Sequence, residues 1–300
     1  MPFLVIPSLT ALKCFLNNEF EENGVTKISG QMSKMETHLE NGEKAQYQLS
    51  LGEESMSMAG QIGHDITLRF LGQIICVNCG RNTKKSYSGG FCFPCSQKLA
   101  QCDLCFMKPE TCHFEQGTCR EPEWGEAVCM QDHIVYLANS SGLKVGITRV
   151  GQIPTRWIDQ GATQAVPIFL VKTRYQSGLV EVMFKEHVSD RTDWRKMLRG
   201  QAETLDLAAE RDRLLALCRD QITALKAVHG EEAIRVLPSE PVQSIEYPVE
   251  QYPTKISSLN LDKTPEVKGV LQGIKGQYLI LDTGVINCRK YNGYQVEVEV

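Results

Sequence analysis

Nine of the chain's twelve cysteines fall between Cys76 and Cys129, most of them as CxxC pairs. That crowding limits the local fold more than any other feature. The stretch is rich in Cys, Gly and Pro and too poor in apolar residues to build a core of its own, so bound metal has to supply its stability. Cys76 and Cys79 form one pair, followed by Gly80, and Cys92 and Cys95 form a second after twelve intervening residues. A tight turn brings residues i and i+3 around one tetrahedral ion, and the glycine suits the positive φ of such a turn. Four thiolates at this spacing predict a zinc ribbon. An iron–sulfur cluster would use the same ligand set.

Cys102 and Cys105 make a third pair, followed by Cys112, His113, Cys119, Cys129 and His133. A second zinc is expected. Equal gaps favour Cys102, Cys105, Cys112 and Cys119 as its ligands, with His113, Cys129 and His133 as alternates. The first set carries no His or carboxylate and suggests no open coordination position, so a structural role is expected for the zincs. Arg81, Lys84 and Lys85, between the two knuckles, either solvate a loop or touch a nucleic-acid backbone.

Around this block the chain reads as α+β and multidomain. Residues 1–75 form an N-terminal β element, since Tyr47, Leu49 and Leu51 alternate with polar residues, as do Ile66, Leu68 and Phe70. Residues 76–130 are the zinc-binding block, and 131–200 alternate strand-like and helix-like pieces. A helix is expected over 201–230, with Leu215, Cys218, Ile222 and Leu225 on one face, which makes Cys218 a core residue. Residues 231–300 are a proline-rich linker and a small β-meander or barrel, with turns at the DTG and NG sequences.

The formal net charge of −4 excludes a wholly basic nucleic-acid coat, yet residues 141–199 hold ten Lys/Arg against five Asp/Glu. Such a local surplus can attract phosphate. The opening "MPFLVIPSLTALKCFL" is interrupted by Lys13 and has neither preceding basic residues nor a small-residue cleavage site after it, which argues against a signal peptide. No apolar run reaches the roughly 18 residues of a membrane helix. A cytoplasmic protein is expected.

Within 131–200, "IVY" at 134–136, "KVG" at 144–146, Arg156 in "PTRWIDQGA" and Glu181 in "SGLVEVMFKEHV" follow one another in an order that resembles the GIY-YIG endonuclease superfamily. "DRTDWRKML" is similar to the segment closing the domain in phage-type members. The likeness covers about 65 residues and implies a GIY-YIG-like α/β domain acting on DNA or RNA, with no membrane partner. It implies that Tyr136 assists an attacking water, Arg156 stabilises phosphoryl oxygens and Glu181 positions Mg²⁺ or Mn²⁺. Lys144 stands where the family has a second tyrosine and would supply charge instead. Arg149, Lys172 and Arg174 are the expected nucleic-acid contacts, and a binding module without cleavage would use the same surface. A zinc-stabilised protein-interaction role is the third expectation. The whole arrangement also resembles a family of uncharacterised bacterial and archaeal proteins, which implies the architecture and no substrate.

Overall fold

A computed structural model describes residues 26–40 and 42–300. The opening apolar stretch and the first third of the expected N-terminal element lie outside them. Strands β1 (Lys27–Gln31), β2 (Glu36–His38), β3 (Gln46–Leu51), β4 (Glu54–Ser57) and β5 (Asp65–Ile74) precede the cysteine block. The block contains the short helices α1 (Phe93–Lys98), α2 (Leu104–Met107) and α3 (Pro122–Cys129). Next come β6 (His133–Asn139), β7 (Leu143–Arg149), α4 (Thr155–Asp159), β8 (Gln164–Val171), α5 (Arg174–Lys185) and α6 (Trp194–Leu198). Helices α7 (Leu207–Leu217) and α8 (Arg219–His229) lead to β9 (Ile234–Val236) and β10 (Gln243–Ser244). The chain closes with β11 (Glu266–Lys275), β12 (Tyr278–Leu281), β13 (Gly284–Asn287) and β14 (Tyr294–Glu299). The fold is a mixed α/β arrangement of several sheets. Among the described residues, no helix is long and apolar enough to cross a membrane.

The two ends of the chain, expected as separate β units, share one six-stranded sheet in the order β1-β14-β5-β11-β12-β13. Strand β14 lies between β1 and β5, pairing antiparallel with both. Its Tyr294, Val296 and Val298 are buried in one core with Leu49, Leu68 and Leu271. The alternation that marks each strand at sequence level exposes one apolar face, and the two ends cover each other's. The expected linker is also bound into the structure. β10 pairs with β8, and Ile245 and Tyr247 are buried.

The central sheet runs β10-β8-β6-β7, with β9 on the far part of β8. Strand β6 is buried along its whole length. Its alternate residues divide between two cores: Ile134, Tyr136 and Ala138 face the β-body, and Val135 and Leu137 face α5 and α7. That division explains why "HIVYLAN" is apolar without alternation.

The single long helix expected over 201–230 begins at Leu207, where Asp206 caps it, and is interrupted at Cys218 (φ −96°, ψ 15°). Cys218 and Ile222 are buried as the helical spacing requires. The interruption turns α8 toward β9, and no Gly or Pro announces it.

Candidate functional site

The first cysteine group forms as its spacing demands. Cys76, Cys79, Cys92 and Cys95 hold their sulfurs within 4.8 Å of one another. Gly80 takes φ 67° and donates its N–H to the Cys76 carbonyl at 3.0 Å, closing the first knuckle. The second knuckle opens α1, with Cys92 at its N-cap. Cys79 and Cys92 sulfurs are 3.8 Å apart, about the edge of a tetrahedron with 2.3 Å zinc–sulfur bonds. This four-cysteine group could hold zinc. Burial raises the Cys76 thiol, but the backbone amides of Cys92, Cys79 and Asn78 outweigh it and hold the thiol at about 6. The Asn78 amide lowers the Cys95 thiol, yet its three neighbouring cysteines and burial push it up to about 12. Four thiolates in so small a space repel one another, and a divalent ion removes the conflict.

The remaining cysteines do not group as their spacing suggests. Cys102, expected in the second site, packs against the Cys76, Phe91 and Cys92 cluster of the first. Cys105, Cys112 and Cys119 instead line a cavity together with Cys129. A third set, Asp103, Cys105 and His113, brings ligand atoms within 4.8 Å. His133 is fully buried, with Nδ1 against the Gln131 carbonyl at 2.7 Å, and burial first, with Arg174 and Arg149 nearby, lowers it to about 4.

The four residues expected to be catalytic come from four different elements, and Tyr136 and Lys144 each lie within electrostatic reach of Arg156 and Glu181. Tyr136 on β6 is paired in register with Gly146 on β7, and a Cβ at Gly146 would sit 2.7 Å from the Tyr136 hydroxyl. The glycine therefore makes room for the tyrosine ring. Tyr136 packs edge-on against Trp157 at 5.9 Å, and its buried hydroxyl has no hydrogen-bond partner in place. Burial raises its pKa, while Arg156 and Gln160 oppose the shift. Gln160 Oε1 is also buried without a partner. Two buried polar atoms without partners mark an interior that is polar and unsaturated.

Lys144 is 5% exposed and holds Thr192 Oγ1 at 3.3 Å. Burial and the neighbouring Arg156 lower its ammonium to about 8, against the pull of Glu181 and Asp190. The chain after α5 runs beside β7, where Val145 donates to Ser189 O at 2.8 Å, and this brings Asp190 and Thr192 to the cluster. Glu181, with its side chain 12% exposed, faces Lys185 at 3.5 Å. Burial raises Glu181, Lys185 lowers it and Asp190 raises it again. Lys185 also pairs with Asp190 at 3.1 Å. Perturbed groups of opposite sign around a buried tyrosine are the electrostatics expected of a reactive site.

The three expected nucleic-acid contacts are less uniform. Lys172 is exposed and pairs with Asp132 at 3.1 Å. Arg149, at the end of β7, is half-buried. Arg174 is turned inward: a guanidinium nitrogen donates to Phe106 O at 2.7 Å, and the group lies 4.5 Å from the Phe106 ring. It therefore faces the cysteine cavity, and its expected contact with a phosphate backbone is corrected on that ground. Sequence reading missed Gln160, Lys185 and Asp190. Lys185, four residues after Glu181, was detectable as an i,i+4 partner; the other two depend on tertiary packing.

A family model described as a protein of unknown function (DUF2797) matches residues 63–296, and the chain belongs to that family. No curated protein and no solved structure matches it.

Proposed function

We propose that this DUF2797 chain is a metal-dependent phosphodiesterase of nucleic acid whose reactive site is the cluster of Tyr136, Lys144, Arg156 and Glu181. The observation that carries the reading is their convergence. A tyrosine, two cations and a carboxylate act on one another electrostatically although they come from β6, β7, α4 and α5. The resemblance to the GIY-YIG superfamily gives the same four positions a common chemistry.

Phosphodiester hydrolysis needs an oriented nucleophile, positive charge on the crowded phosphate and help for the leaving oxygen. Tyr136 would hold the attacking water. Arg156 and Lys144, the latter still cationic at neutral pH with its pKa at about 8, would neutralise the non-bridging oxygens. Glu181, with Asp190 beside it, would hold Mg²⁺ or Mn²⁺. The ion contributes Lewis-acid charge on the phosphate. Hard oxygen ligands suit these ions, and both residues offer them. The Cys76 group would serve as a structural zinc site, and Arg149 and Lys172 would guide the backbone of DNA or RNA.

Cleavage and binding should be measured on single-stranded, duplex and branched DNA and on structured RNA, with Mg²⁺ or Mn²⁺. The reading expects metal-dependent cutting that falls about 10²-fold or more in Glu181→Ala and Arg156→Ala. The Lys185 ammonium, 3.5 Å from Glu181, favours a second reading, in which a lysine fills the ion's position and the domain binds nucleic acid without cutting it. Retained binding with no cleavage by any metal would establish that alternative.

A further inference from the structure

Four thiols outside the first group surround a single void. Cys105, Cys112, Cys119 and Cys129 line a cavity of about 20 Å³ whose other walls include Phe106, His113, Trp124 and Arg174. A space of that size admits one body about as large as a water molecule. The thiols are brought there by secondary structure: Cys105 lies in α2 and Cys129 ends α3. The same helix presents Gly125 so closely that an added Cβ would sit 3.1 Å from the Cys119 sulfur.

Arg174 supplies the second observation. Its Nε is buried with no hydrogen-bond partner, while the rest of the group is held by Phe106. A buried guanidinium with no ion-pair partner is costly; the Glu181 carboxylate acts on Arg174 without pairing with it, and four neutral thiols provide no charge. Four thiolates around a divalent ion carry a net charge of −2. We propose that Cys105, Cys112, Cys119 and Cys129 bind a single thiophilic divalent ion of the zinc class, with Arg174 as its buried counter-cation.

The rival set, Asp103, Cys105 and His113, satisfies the arginine less well. A thiolate, a carboxylate and a neutral imidazole around the same ion sum to zero. Its carboxylate is also engaged elsewhere: Asp103 pairs with Arg120 and caps α2 at Cys105 N–H (3.1 Å). Among the described residues, the four cavity sulfurs are not gathered within 4.8 Å as the first group is. Loading would draw them to the roughly 3.8 Å separations set by 2.3 Å zinc–sulfur bonds. The ion would then pin α5, because Gly178 of that helix packs directly on Pro109 and Glu110, between Cys105 and Cys112. Arg174 and Glu181 sit on the same helix, so the metal also steadies the proposed reactive carboxylate.

Elemental analysis of the full chain should find two zinc ions per molecule. One should be lost in Cys119→Ser and in Cys129→Ser, and both retained in Cys102→Ser and His113→Ala. The Co²⁺-substituted wild type and His113→Ala should show sulfur-to-cobalt charge-transfer absorption of eight thiolates, a readout that survives even if a cysteine variant misfolds. Arg174→Met should weaken the second ion about 10–100-fold and leave the first unchanged. A single ion in the wild type, loss of an ion in His113→Ala, or iron with acid-labile sulfide at this site would overturn the assignment.

Discussion

Lys275 is 1% exposed, and the rings of Tyr247 and Tyr252 lie 5.2 and 5.4 Å from its ammonium. Burial alone lowers it to about 8. A lysine whose folded pKa lies below its unfolded value near 10.4 costs stability wherever it is charged, and the cost disappears as pH rises between the two values. Stability should therefore increase by about 3 kcal/mol from pH 8 to 10.5. Lys275→Met should remove that slope and raise stability at pH 7, as denaturant unfolding at each pH would show. A slope unchanged by the substitution contradicts the buried-cation reading. Nothing in "GIKGQY" distinguishes this lysine from a solvated one, because its burial comes from strands distant in sequence. Gly146 is different. The resemblance to the GIY-YIG superfamily singled it out in "KVGIT", and the structure gives it a packing role: Gly146→Ala would drive a methyl into the Tyr136 hydroxyl. Overpacking of this kind costs about 1–3 kcal/mol, and cleavage should fall with the zinc content unchanged.

At the scale of elements, α5 is the piece on which both proposed sites depend. Thr173 and Gln176 close a capping box at its start, and this fixes the direction in which Arg174 and Glu181 project. At Gly178, where the backbone of Pro109 and Glu110 leaves no room for a side chain, Gly178→Ala should destabilise by about 1–3 kcal/mol. Gly151→Ala, with nothing within 4 Å, should change stability by less than about 0.5 kcal/mol. Urea unfolding of the two variants would compare them directly. A helix over Glu181 was legible in the sequence, and so was the first four-cysteine group, since both follow from local spacing. The cavity cysteines were legible in part: Cys105, Cys112 and Cys119 were expected together, with Cys129 as an alternate, whereas the departure of Cys102 to the first cluster depends on tertiary packing. Cys102 and Cys105 are a perfect CxxC pair in the sequence and still turn toward different neighbours.

Strands from the first and last parts of the described chain close one sheet. With β14 between β1 and β5, residues 231–300 supply strands to a sheet that residues 27–74 complete. Sequence alternation identified β3, β5 and β14 correctly but contains no information on which strand each will meet. Deleting residues 293–300 removes one pairing from β1 and another from β5. It should abolish cooperative unfolding of the β-body, and a fragment of residues 231–300 should not fold alone; circular dichroism melts would test both. A truncated chain that melts at the wild-type temperature would show that β14 is dispensable. The sheet and the cysteine block meet there too, since Ile75 donates to Gly293 O at 2.7 Å and Asn292 Nδ2 to Gly89 O at 3.3 Å. That frame holds β6, β7, α4 and α5, the four elements that carry the proposed reactive residues. The most direct measurement on it is the single-turnover cleavage rate of a labelled nucleic acid in Mn²⁺, for the wild type and for isosteric Glu181→Gln. A wild-type rate lowered about 10²-fold or more by the substitution, with zinc content unchanged, is the expected result. Equal rates in the two proteins, or no cleavage by either, contradict a reactive role for the cluster.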